Sequence, residues 1–61
     1  MRTKMETRPG DKVFIYEALN HPEYQNTEGI VHHIDEMGRI FGSWGSAPIL
    51  YTDEFFIVDN N

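Results

Sequence analysis

The chain has 61 residues, no cysteine and a formal charge of −5. That length fits one small domain, which buries only about 60% of the surface its unfolded form exposes. Without cysteine there is neither a disulfide staple nor a thiolate metal site.

The charge is unevenly spread. Arg2, Lys4, Arg8 and Lys12 outweigh Glu6 and Asp11 in the first twelve residues, whereas from Val13 onward Arg39 stands alone against eight acids. An acidic body of this kind disfavours direct nucleic-acid binding, which rests on neutralising phosphates with lysine and arginine. No stretch approaches the roughly 18 consecutive apolar residues of a membrane span. Met1 to Gly10 lacks the apolar run of a secretory signal, so no membrane partner and a cytoplasmic location are expected.

Residues 1–8 show no apolar periodicity and are expected as a flexible arm, with the folded domain running over residues 9–59. Pro9-Gly10-Asp11 marks the turn where order begins. Lys12 to Glu17 reads as the first strand, with Val13 and Ile15 on one face and Phe14 and Tyr16 on the other. Ala18 to Thr27 is a long loop centred on His21-Pro-Glu-Tyr24, and Tyr24 either lids the core or stands free for a partner.

Glu28 to Asp35 is the second strand, where Gly29 points to a bulge or a close backbone approach. Asp35-Glu-Met-Gly38 is a tight turn: Gly38 supplies a positive φ and Asp35 accepts turn N–H groups. Arg39 to Trp44 returns as the third strand, with Ile40, Gly42 and Trp44 on one face. After a turn at Gly45-Ser46, Ala47 to Tyr51 is expected as a fourth strand held to an edge by Pro48. Thr52 to Glu54 reads as a single helical turn capped by Thr52 or Asp53. Phe55 to Val58 forms the fifth strand, and Asp59 to Asn61 are expected to fray. The pattern predicts an all-β domain, a small five-stranded SH3-like barrel.

Gly10-Asp-Lys-Val13 followed by Gly29-Ile-Val31 resembles the opening of many SH3-like barrels, including translation and transcription modules. Asp35-Glu-Met-Gly38, Ile40, Trp44 and the closing Asp53-x-Phe55 resemble a more particular group. These are small uncharacterised domains encoded by phages, prophages and conjugative elements of Gram-positive bacteria, in which a G-T-x-G-x-V strand precedes a D-D-x-G turn and a tryptophan. The resemblance spans residues 9–58, with Gly42 standing where the group has a β-branched residue. It implies an SH3-like barrel and a bacterial host cell, and carries no assigned activity.

The residues for chemistry are sparse. His32 and His33 are adjacent on a strand, so their side chains diverge and cannot share a metal unless the strand bulges; His21 lies in the long loop. Ser43, Ser46 and Thr52 have no histidine at a telling spacing. The pairs Asp35/Glu36 and Asp53/Glu54 sit in turns, where capping accounts for them. No catalytic residue, metal site or cofactor is assigned, and the chain is read as a non-enzyme.

What remains is aromatic. Trp44 is placed in the core with Val13, Ile15, Val31, Ile40, Phe55 and Ile57, which leaves Phe14, Tyr16, Phe41, Tyr51 and Phe56 on opposite strand faces. The first functional reading is a protein-binding or self-associating module whose partner is another protein or a second copy in a homodimer. It uses Tyr16, Tyr24, Phe41 and Tyr51, rimmed by Asp35, Glu36, Asp53 and Glu54. The second is an acidic phage counter-defence protein whose four carboxylates occupy a nucleic-acid-binding surface of a host protein.

Overall fold

The computed structural model describes residues 3–58. Four strands form: β1 (Lys12–Glu17), β2 (Thr27–Ile34), β3 (Ile40–Gly42) and β4 (Glu54–Ile57). They make an open antiparallel sheet in the order β3-β2-β1-β4, so the first and last strands lie side by side. Two short 3-10 turns, Lys4–Glu6 and Pro22–Tyr24, are the only helical segments among the described residues. None is long and apolar enough to cross a membrane. The protein is all-β.

Period-two alternation sets the core. Val13 and Ile15 of β1 are fully buried, as are Val31 of β2 and Ile40 of β3, and Phe55 and Ile57 of β4 join them from the edge. Trp44, Ile49, Ala18 and Tyr24 close the cluster. Gly29 is the close approach its position suggests: a β-carbon there would lie 2.7 Å from Trp44 Cε3. The turn after β2 closes as its residues dictate. Gly38 takes φ +81°, and Asp35 Oδ1 accepts the N–H groups of Met37 and Arg39 at 3.0 and 2.8 Å.

The expected fourth strand, residues 47–51, shrinks to one bridge between Ile49 and Ile40. Ile49 exchanges both of its backbone bonds with Ile40, so the next ladder position before it is Ala47, whose N–H donates to the Tyr24 hydroxyl and whose carbonyl accepts the Trp44 indole N–H. The third strand is shorter too, because the Arg39 N–H is held by Asp35 and Trp44 lies in the next turn. No helical turn forms at Thr52–Glu54. Asp53 is instead buried, and its carboxylate accepts Leu50 N–H at 2.9 Å and Leu19 N–H at 3.2 Å.

In the segment expected as an arm Lys4 is half-buried and Thr7 buried, whereas Thr3, Met5, Glu6 and Arg8 are exposed; Met1 and Arg2, like Asp59 to Asn61, lie outside the described residues. Thr7 is buried and its hydroxyl donates to the Lys4 carbonyl at 2.6 Å. Lys4 Nζ in turn donates to the Asp53 carbonyl at 2.9 Å and stands over the Phe55 ring. The Lys4 hydrogen bond and its cation–π contact thus tie this segment to the start of β4.

Candidate functional site

Burying Val13, Ile15, Phe55 and Ile57 on one face commits their neighbours to the other. Phe14 pairs with Glu28 of β2 on one side and Phe56 of β4 on the other. The Phe14 and Phe56 rings are 5.5 Å apart between centroids, and Tyr16 and Phe56 are 6.0 Å apart. Tyr16 is 47% exposed, Phe56 51% and Ile30 40%, so this face is apolar and wet together. A bulge between Ile15 and Glu17 makes Tyr16 the extra residue of β1, and both Tyr16 and Glu17 turn to solvent.

Charges edge the patch. Lys12 Nζ reaches Glu28 Oε1 at 3.4 Å across β1 and β2. At the other end Glu17 and Glu54 are cross-strand partners, which sets two like charges side by side next to the bulge.

Of the four aromatic residues assigned to a binding surface from sequence, Tyr16, Tyr24, Phe41 and Tyr51, only Tyr16 belongs to this patch. Tyr24 is buried at 8% exposure; its hydroxyl lies against Gly45 and accepts the Ala47 N–H at 3.1 Å. It lids the core, the first of the two alternatives its position in the loop allows. Phe41 is half-buried and stacks with His33 at 6.0 Å. Tyr51 is half-buried, packs against the core and lies 6.5 Å from Phe55. Phe14, Ile30 and Phe56 complete the patch, and the alternation of β1 and β4 was the signal that marks Phe14 and Phe56.

The four carboxylates do not form one surface. Asp53 is 4% exposed and engaged with two backbone N–H groups. Asp35 binds its own turn and pairs with Arg39 Nε. Its carboxyl is held below the usual value chiefly by the Arg39 N–H; desolvation opposes this, and the Arg39 side chain and the Met37 N–H add to it. Glu36 is exposed in the same turn, and Glu54 is half-buried at the head of β4.

The turn also bounds an open depression lined by His33, Ile34, Asp35, Glu36, Met37 and Arg39, in which Asp35 and Arg39 satisfy one another. A bulge does fall between Val31 and His33, and both His32 and His33 are exposed. His21 stacks on Tyr24 and pairs with Glu23 at 3.3 Å. Among the described residues no three histidine or carboxylate groups are placed to hold a metal ion. No protein-family model, curated protein or solved structure matches this chain.

Proposed function

We propose that the chain is a small non-enzymatic binding module that engages protein through the outer face of its sheet. The observation that carries this reading is the exposed cluster of Tyr16, Ile30 and Phe56, grouped around the half-buried Phe14, beside a core that is already closed. Aromatic residues grouped on a surface favour protein contact, because their large apolar area is desolvated at little entropic cost. The occupant is either a foreign protein or a second copy.

Within this reading the fold is an SH3-like barrel of reduced size. The neighbouring first and last strands, and the Ile40–Ile49 bridge at the far edge, support it. The motif resemblance supports an accessory role in a phage or mobile element, acting in the cytoplasm of a bacterial host. The counter-defence alternative needs four displayed carboxylates, and burial of Asp53 and pairing of Asp35 leave it two.

Light scattering at several protein concentrations and two salt levels tests for the second copy. Pull-down with the parent and with Phe56→Ser tests for a foreign partner. The reading expects association, with itself or with a captured protein, that Phe56→Ser abolishes. Association indifferent to Phe56→Ser and Tyr16→Ser overturns it.

A further inference from the structure

The charges at the margin of the aromatic patch specify what it receives. Glu17 and Glu54 stand opposite each other on β1 and β4, immediately beside Tyr16 and two residues from Phe56. The basic side chains that could relieve them are directed elsewhere. Lys4 donates to the Asp53 carbonyl, Lys12 pairs with Glu28 and Arg39 pairs with Asp35. No described basic residue forms an ion pair with either Glu17 or Glu54. A like-charge cross-strand pair is unfavourable in the free protein, so a cation brought by a partner gains twice. It relieves the repulsion, and it sits within reach of the ring faces of Tyr16 and Phe56, where cation–π attraction adds to it.

We infer that the face binds a protein segment carrying arginine or lysine between apolar residues. The apolar side chains cover Phe14, Phe56 and Ile30, and the cation lies between Glu17 and Glu54. This rests on the reading of the face as a docking surface. A second copy is the poorer occupant, since the one cation it carries at this patch, Lys12, is already paired with Glu28. A phosphate-bearing ligand meets repulsion from Glu17 and Glu54.

The test uses the full chain, isotope-labelled for NMR, and three short capped peptides. One alternates arginine with isoleucine; the others carry citrulline or glutamate in place of arginine. The arginine peptide is expected to shift the amide signals of Phe14, Tyr16, Glu17, Glu54 and Phe56. Glu17→Gln with Glu54→Gln should weaken it about tenfold, and added salt should weaken it further. Equal binding of the arginine and citrulline peptides overturns the cationic partner but keeps the docking face. So does failure of all three peptides when the same signals move with protein concentration, which marks a second copy as the occupant. If no peptide binds and no concentration dependence appears at these residues, both the inference and the docking face fall.

Discussion

Gly42 makes room for the indole of Trp44. A β-carbon at residue 42 would collide with Trp44 Cζ3 and lie 2.5 Å from both Trp44 Cη2 and the Ile30 carbonyl oxygen. The carbonyl belongs to the adjoining strand and cannot move aside, so Gly42→Ala should cost about 2–3 kcal/mol. Gly10→Ala is the control: nothing lies within 4 Å of a β-carbon there, and only the φ of +95° opposes it. It should cost about 1 kcal/mol. Urea unfolding followed by fluorescence of the single tryptophan compares the two.

Phe55 and Phe56 are consecutive and chemically identical, yet one is 3% exposed and the other 51%. Phe55→Ala should destabilise by about 3–4 kcal/mol through a core cavity. Phe56→Ala should cost about 1 kcal/mol or less, because it removes only partial burial against Phe14 and Tyr16. Comparable losses in a denaturant series would mean that the outer face is covered in the folded protein.

Much of this fold was legible in the sequence because alternation and turn chemistry are local. Val13 and Ile15, the Asp35–Gly38 turn and the packing of Trp44 follow from spacing alone. Long-range hydrogen bonds were not legible. No pattern tells that Ala47 N–H will go to Tyr24, and that bond helps cut the expected fourth strand to a single bridge. Of the candidate site, sequence placed Tyr16 correctly in the open. It left Tyr24 with two alternatives, lid or free surface, because a tyrosine in a loop reads the same either way, and burial selects the lid.

Asp53 is where the polar network matters most. It joins the long loop at Leu19 to the turn at Leu50, and it is almost fully buried. Asp53→Ala strands two N–H groups at once, with an expected loss of about 2–4 kcal/mol. Asp53→Asn keeps one acceptor oxygen but sets its NH₂ group against an N–H donor, so it should lose about half as much. Hydrogen exchange should quicken at Leu19 and Leu50 before the β1–β2 ladder responds.

The acid limb of stability should report Asp35. Its pKa is lowered below 3.8 in the folded chain, first by the Arg39 N–H, so its contribution is present above the unfolded value and lost as pH falls through the folded one. Melting temperature should therefore fall as pH drops from about 5 towards and below 3.8. Asp35→Asn should lower stability near neutrality and flatten that slope. Glu23 is shifted the same way, chiefly by its own backbone N–H, and Glu23→Gln gives the smaller companion effect expected of an exposed loop. An unchanged acid slope in Asp35→Asn would remove the turn carboxylate from the account.

Tyr24 supplies the last link, between the long loop and the turn after β3. Its ring fills the space beside Gly45, its hydroxyl accepts the Ala47 N–H, and Ala47 in turn accepts the Trp44 indole N–H at 3.1 Å. Tyr24→Phe keeps the ring and removes only the acceptor, so about 1 kcal/mol should be lost. Tyr24→Ala also empties the lid and should cost about 3–5 kcal/mol. The distinguishing readout is Trp44 emission. Tyr24→Phe should leave it nearly unchanged, because the indole keeps its own bond to the Ala47 carbonyl. Tyr24→Ala should move it to longer wavelength as water reaches the ring. If Tyr24→Ala unfolds no more easily than the parent, the loop is not a lid and Tyr24 returns to the set of residues free to meet a partner.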